Sequence, residues 1–562
     1  MDMMISNLQQ QRQVTEQLRR EAGVKRISVS QAVQDMIKFI SEHQRDDCLI
    51  VGFSSQKANP FREKTLPCRS KLPSWRHSRG KLIIREIETA SNLSSVNKKA
   101  VYQTFGQPTH LTHPHRLSKG EIVPGIQQEE LKLRRSRLVE SMRLFCSNNE
   151  LNGKTLIVVI PSSYKKYMTE KIPYVYRQNS DFLYLTGCME PDSILVLISK
   201  NDSFESVLCL RGRDPASELW DGPRTGIDQA VELFGVDKSI ATNSFEDFAH
   251  HLMKQNRDCM IWYDFANEIH PDIHKTMQKF ASQTKNKIWE SPRPFVHQLR
   301  LYKSKAEQKL MKKSCEIASD AIKKAMRSSR PSISEAALQA QVDFECRING
   351  AEYLAYPPVV ASGPRANIIH YINNDNIVND GDLILMDAGC EYHAYCSDIT
   401  RTWPISGKFS PAQRTLYEVV YSVQTDLIKL CSKFPTLNQL YEVMGRLLAE
   451  RLKESGVISQ KVPPDEIKKC VSQFCPHHVS HYLGMDVHDT STVPRHIPLE
   501  PGMVLTVEPG VYVNYDNRYA NPEYHGIGIR IEDDVLITHE GPVVLTEPCP
   551  KHPDEIERLC CT

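Results

Sequence analysis

The apolar positions of this chain change period several times, and each change predicts an element. "NLQQQRQVTEQLRREAG" is a polar helix with a thin stripe at Leu8, Leu18 and Ala22, ended by Gly23. After a Ser28 cap, Val29, Val33, Met36, Ile37 and Ile40 fall at helical spacing and form a fuller apolar face. Two short helices with one face each bury too little surface to fold alone, so this piece needs a partner. Periodicity alone fits a coiled-coil leader equally well. From about 106 to 290 the strand-like runs "TLIVVIP", "SILVLI", "SVLCL" and "CMIWYD" alternate with amphipathic helices such as 127–147, which predicts an α/β domain. Ser304 and Glu307 then spell a capping box, and Leu310, Met311, Ser314, Ala318, Ile322 and Met326 run along one side of the helix it opens, placing a boundary near residue 300. Strands are expected after it rather than a βαβ rhythm. In "GIGIRIEDDVLIT", Ile527, Ile529 and Ile531 alternate with Gly528, Arg530 and Glu532, one face for the core and one polar. "LILMDAGCEYHAYCSDITRTWPI", residues 383 to 405, reads as two strands joined by a short turn, with Asp387 ending the first and Asp398 at the same level of the second.

Composition narrows the class. At 562 residues, 40% apolar and 25% charged, the chain has room for two or more globular domains. Its net charge of +2 comes without a basic block of the kind that neutralises a phosphate backbone, so nucleic acid is not an expected partner. The longest apolar runs, "LIVVI" and "ILVLI", are strand-sized, so no membrane span or secretory signal is expected. Sixteen cysteines without CxxC pairs read as reduced thiols. In the linker, residues 67–104, Arg69, Lys71, Arg76, Arg79, Lys81 and Arg85 precede any acidic residue, with Ser70, Ser74 and Ser78 among them. That is the composition of a mitochondrial transit peptide in an internal position, and a solvated tether is the plainer reading.

The polar positions carry candidate chemistry. Asp387, Asp398, Glu508 at the end of "GMVLTVEPG", Glu532 and His481 in "HHVSHYLGMDVHD" are the group of interest. A single Asp at a strand end is ordinarily a turn former, and a single His ordinarily a core residue. Four carboxylates and one imidazole in one cleft would push one another's pKa upward without countercharge. Two divalent cations would balance them, and an oxygen-rich set with one imidazole favours a hard ion such as Mn(II). Cys390 and Cys396 read as packing.

Taken together, "MDAGCEYHAYCSDITRTWP", "CPHHVSHYLGMDVHD", "VEPGVY" and "GIGIRIEDD" resemble the M24 metallopeptidases of pita-bread fold. Among these they are most similar to the Xaa-Pro aminopeptidases (aminopeptidase P) of mitochondrial type, over about residues 105 to 555. "NSDFLYLTG", "EPDSILVLI" and "LWDGPR" fit the same family. The resemblance implies a creatinase-type α/β N-domain over 105–295 and an α+β pita-bread catalytic domain over 300–555. It implies that Asp387 holds one metal ion, that His481 and Glu508 hold the other, and that Asp398 and Glu532 bridge the two. His370 in "IIHYINN", His477 and His488 would line the cleft, with His370 and His488 serving carbonyl contact and proton transfer. Glu508 would shuttle a proton as well as ligate, Arg530 would orient ligand carboxylates on the substrate side, and Tyr512 matches a cleft tyrosine. Peptides with proline in second position are the implied substrates and a homodimer the implied assembly. Trp220 and Arg224 sit either in a loop that reaches a neighbour's cleft or in an ordinary packed loop. A prolidase acting on Xaa-Pro dipeptides and a domain that has lost catalysis are the alternatives.

Residues 1–66 carry a second resemblance. "QLRREA" and "FSSQKANPFREK" are similar to the heterotrimeric G-protein gamma subunit, which implies a two-helix extension and a G-protein beta subunit as partner. In that family Asn59-Pro60-Phe61 leads to a terminal prenylated cysteine. Here Cys68 is internal and the "ERLCCT" end puts Leu559 fourth from last, so no prenyl anchor is expected. The implied address is mitochondrial if translation begins near the linker and cytoplasmic if the fusion is made as written.

Overall fold

The computed structural model describes residues 104–561 apart from 201, 202, 285, 286, 459–461, 464 and 465. The two gamma-like helices and the linker up to residue 103 lie outside the described residues, which all fall in one compact unit.

The helix predicted at 127–147 is α1 (Gln128–Asn148). The N-domain sheet is built from β1 (Thr155–Pro161), β2 (Ile194–Lys200), β3 (Ser203–Leu210), β4 (Lys238–Ala241), β5 (Cys259–Trp262) and β6 (Ile288–Glu290), in the order β6-β5-β1-β2-β3-β4. β2 runs antiparallel to β1 while β5 runs parallel on its other side, so the sheet is mixed. Every residue of β1 is buried, as an uninterrupted apolar run in a covered central strand requires. "NSDFLYLTG" is a complete short helix, α2 (Ser180–Thr186): the Asn179 side chain accepts from the Phe182 amide at one end, and Gly187 takes the left-handed conformation at the other.

Helix α3 (Arg293–Leu301) leads into α4 (Lys305–Ser328), whose Ser304–Glu307 capping box is formed as the sequence predicts. The boundary near residue 300 is not a gap in the packing. One apolar cluster runs from Leu156, Val158 and Leu195 of the N-domain through Leu310, Met311 and Cys315 of α4 to Tyr395, Val504 and Leu536.

After α4 the fold departs from the expected run of strands. Helix α5 (Glu335–Ile348) packs on α4, and two long helices, α6 (Pro411–Leu430) and α7 (Leu437–Glu454), cover the catalytic sheets. Both long helices open with capping boxes, Ser410 with Gln413 and Thr436 with Gln439. Among the described residues no helix is long and apolar enough to cross a membrane.

The segment 383–405 is one hairpin in two levels, an outer and an inner pair of strands that share a register and are separated by a break in the ladder. β7 (Val359–Ser362), β8 (Leu383–Ala388), β9 (Cys390–Tyr392), β10 (Tyr395–Cys396) and β11 (Ile399–Pro404) follow in order, with β8 paired to β7 and β11, and β9 paired to β10. Asp387 therefore lies opposite Thr400, and Asp398 stands just before β11 instead of across from Asp387. The inner hairpin turns at His393 and Ala394, both with positive φ, as a two-residue hairpin turn needs. Gly389 lets the two levels meet, because a Cβ there would drive into the carbonyl oxygen of Ser397. "GIGIRIEDDVLIT" likewise divides. With β12 (Val504–Val507) and β13 (Gly510–Tyr512), it supplies β14 (Gly528–Arg530) to pair with β13 and β15 (Asp533–Thr538) to pair with β12. Glu532 lies at the break, and the alternation survives it: Ile529 and Ile531 are in the core while Arg530 and Glu532 face the carboxylates.

Gly389→Ala is expected to destabilise the protein by about 3 kcal/mol, the upper end of ordinary overpacking, because backbone rather than a flexible side chain must give way. Thermal or urea unfolding of the purified variant measures this, and an unchanged midpoint would contradict the crossing.

Candidate metal centre

Five elements deliver the predicted ligands to one place. Asp387 comes from β8, Asp398 from the entry to β11, and Glu532 from the β14–β15 break. His481 and Glu508 are set side by side by backbone pairing between 479–482 and β12: the Thr506 amide donates to the His481 carbonyl at 3.0 Å and the Glu508 amide to the Val479 carbonyl at 2.9 Å. Asp398, His481 and Glu532 each offer a ligand atom, all within 4.8 Å of one another. His481 Nε2 lies 3.4 Å from Asp398 Oδ2 and 3.6 Å from Glu508 Oε1.

Asp387 joins this group through hydroxyl and guanidinium contacts. The Tyr356 hydroxyl bridges Asp387 Oδ1 at 2.6 Å and Asp398 Oδ1 at 2.5 Å. Arg530 donates to Asp387 Oδ2 at 2.7 Å, to the Thr400 hydroxyl at 3.0 Å and to the Tyr512 hydroxyl at 2.7 Å. Thr400 in turn donates to Glu532 Oε2 at 2.6 Å, and Tyr512 lies 2.9 Å from His477 Nε2.

His370, His477, His481, His488 and Glu508 line one cavity of about 390 Å³. The His488 ring stands over that of His481, centroids 4.4 Å apart. Arg530 and Tyr512 do not line that cavity; each is 2% exposed and turned to the carboxylates and to His477. Trp220 is 85% exposed on the short helix Pro215–Asp221, and Arg224 donates to the Gly212 carbonyl at 2.9 Å. Cys390 and Cys396 are buried free thiols, as are most cysteines among the described residues.

Two members of the site were not singled out in the sequence. Thr400 was within reach, since it lies two residues beyond Asp398 and so on the same face of the chain. Tyr356, before Pro357-Pro358, carries no local signal of its role.

Comparison with known proteins agrees with this geometry. Residues 309–539 match the model of metallopeptidase family M24, residues 131–262 that of the aminopeptidase P N-terminal domain, and residues 5–70 that of the GGL domain. Over 472 residues the chain is 42% identical to Xaa-Pro aminopeptidase 3 of Mus musculus, covering 82% of this chain and 92% of that protein. The chain belongs to the Xaa-Pro aminopeptidases of family M24. It is also 40% identical over 458 residues to intermediate cleaving peptidase 55, mitochondrial, of Arabidopsis thaliana, covering 81% of this chain and 87% of the relative. Its fold superposes on proline aminopeptidase P II from Yersinia pestis with a TM-score of 0.71 at 34% identity, over 78% of this chain and 100% of that one. The architecture is thus the α/β N-domain and pita-bread catalytic domain of that family.

The electrostatics of this aminopeptidase P site call for cations. Burial, reinforced by Asp387, pushes the Asp398 carboxyl above its ordinary range, and burial with Asp398 and Glu508 pushes Glu532 well above. Burial also lifts Glu508 to about 7, although His481 opposes the shift. Burial would lower His481, but its bond to Asp398 and the Glu508 charge raise it to about 9. His477 and His488 go the other way, to about 4, by burial and then by Arg530 and His481 respectively. Carboxylates that resist ionisation at such close quarters, with one imidazole among them, fit a metal site, and Asp398, His481 and Glu532 present ligand atoms to it together.

The sign of the His481 shift sets a pH dependence. A cationic imidazole favoured by folding contributes stability that is complete below its ordinary 6.5 and is lost as pH rises through about 9. His477 and His488, lowered to about 4, contribute no slope above 6.5. The metal-free protein is therefore expected to melt at progressively lower temperature from pH 7 to pH 9, with divalent metal restoring the alkaline end. A flat or rising profile in differential scanning calorimetry would contradict the placement of His481.

Proposed function

We propose that this family M24 member is a dinuclear aminopeptidase that releases the N-terminal residue from peptides with proline in second position, with Mn(II) as its metal. The observation that carries it is the convergence of Asp398, His481 and Glu532 ligand atoms, with Glu508 and Asp387 bonded into the same cluster. His481 and Glu508 would hold one ion, Asp387 the other, and Asp398 and Glu532 both. What such ions supply is Lewis acidity, which acidifies water near neutral pH and polarises a carbonyl.

The protein's own groups account for the rest. Glu508, whose Oε1 lies 3.6 Å from His481 Nε2 at the cavity wall, is assigned to taking a proton from the attacking water and returning it to the leaving proline nitrogen. His488 is neutral at working pH and, with His370, is assigned to hydrogen-bonding the substrate carbonyl as charge develops on it. Arg530 and Tyr512 hold Asp387 and His477 in orientation from behind. Selection of proline rests on family membership. A homodimer fits the exposed Leu219 and Trp220 beside the exposed hairpin Tyr167–Thr169 and Ile172–Pro173, the two regions joined by a Lys165–Asp221 ion pair of 3.2 Å.

A second reading concerns residues 1–66. The GGL-domain match at 5–70 supports a G-protein beta-binding module fused to the peptidase. The name of the Arabidopsis relative supports instead a mitochondrial enzyme, an address that a product beginning near the Arg-rich segment at 67 would fit.

Chelation is expected to abolish hydrolysis of an Xaa-Pro-Xaa tripeptide, and Mn(II) to restore it better than Mg(II) or Zn(II). Full activity in metal-free protein would overturn the mechanism, and a marked preference for Xaa-Pro dipeptides would move the protein to the prolidases. Cell fractionation with an antibody to the catalytic domain tests the address. A shortened band in mitochondria is expected; a full-mass cytosolic band that co-purifies with a beta subunit would favour the fusion.

A further inference from the structure

The loop 484–492, between His481 and β12, carries His488 at its centre, and its polar side chains are held from outside the catalytic sheets. Asp486 accepts from the Ser180 hydroxyl at the start of α2 at 2.7 Å, from Arg177 at 3.1 Å and from Arg300 of α3 at 2.8 Å. Asp489 accepts from Arg300 as well, and from Lys303 at 3.2 Å. Ser491 accepts from Arg293 at 3.3 Å, and the Thr492 hydroxyl meets His297 Nδ1 at 2.8 Å. All these partners precede residue 304.

Arg300 is the centre of the set. One guanidinium touches Asp181 on α2 at 2.5 Å and both Asp486 and Asp489, which flank His488 in the chain. Its side chain is 2% exposed. A cavity of about 240 Å³ lies beside Arg300 and Asp486 on the N-domain side, so bonds rather than close packing restrain this face of the loop. The loop is also strained: Thr490 has φ +48, a left-handed conformation that a β-branched residue holds only when its surroundings impose it.

We propose that Arg300 is a positioning residue for His488, clamping the two aspartates on either side of it so that the imidazole keeps its place over His481 at the cavity wall. This rests on the assignment of His488 to the reaction made above. It gives the N-domain a part in turnover within a single chain, exerted through Asp181, Ser180 and Arg177.

The test is a double-mutant cycle on the full, metal-loaded chain with an Xaa-Pro tripeptide: Arg300→Lys, His488→Ala and both together, following kcat, KM and bound metal. Arg300→Lys is expected to keep its metal, to lower kcat roughly tenfold to a hundredfold with KM within about threefold, and to add no further loss once His488 is gone. In metal-free protein the amides of 486–490 are expected to exchange faster in Arg300→Lys than in the parent. Losses that multiply independently, loss of metal from Arg300→Lys, or unchanged exchange would each overturn the proposal. If His488→Ala leaves kcat unchanged, the role of His488 fails first and takes the proposal with it, an outcome distinct from the others. Should Arg300→Lys not fold, Ser180→Ala removes only one hydroxyl from Asp486 and carries the same cycle, with a loss of several-fold expected and an additive result overturning it.

Discussion

Like charges brought within a few ångströms in a buried place repel, and most of the catalytic half is arranged to hold Asp387, Asp398, Glu508 and Glu532 against that repulsion. The three consecutive acids Glu532, Asp533 and Asp534 show how finely the surroundings divide the work. Burial would raise Asp533, but Arg401 and Lys551 outweigh it and keep that carboxylate ionised as an anchor. Asp534 has no such cation; burial pushes it well above its ordinary range, and it accepts from the Asp398 amide at 2.9 Å and from the Cys315 thiol at 3.2 Å. Glu532 is pushed up like Asp534, but by burial with the neighbouring carboxylates Asp398 and Glu508, and it faces the cluster with Thr400 donating to its Oε2. Three environments in three residues follow from one break between two strands.

Asp387 and Asp398 come from one hairpin whose ladder is interrupted once, near Gly389 and Asp398. The register puts Thr400, not Asp398, opposite Asp387, and the inner pair of strands keeps that same register. The Tyr356 hydroxyl reaches both aspartates, and Arg530 donates to Asp387 from the other side of its carboxylate. Gly389 is where the two levels touch, and a Cβ there would meet the Ser397 carbonyl oxygen.

Much of this was legible in the sequence because it is local. Caps, strand runs and the period-two face of "GIGIRIED" depend on neighbours a few residues away, and the capping box at Ser304 formed as written. The cluster of Asp398, His481 and Glu532 was legible through joint occurrence. What was not legible depends on distant pairing: Tyr356 is defined by two aspartates 31 and 42 residues away, and Arg300 by two others nearly 190 residues on. The helices α6 and α7 were missed for a different reason. Their capping boxes were present in "SPAQ" and "TLNQ", but an expectation of strands left them unread.

The Tyr356 hydroxyl has one proton and two carboxylate oxygens at hydrogen-bond distance. Without a cation, one of those contacts is between two acceptors unless Asp387 or Asp398 carries a proton of its own. Filling the site therefore exchanges hydrogen ions for metal, and the chain's hold on metal weakens as the medium becomes acidic. Proton and metal thus compete for the same oxygens, and the acidity of the surroundings, as much as the supply of metal, sets how far the site is filled.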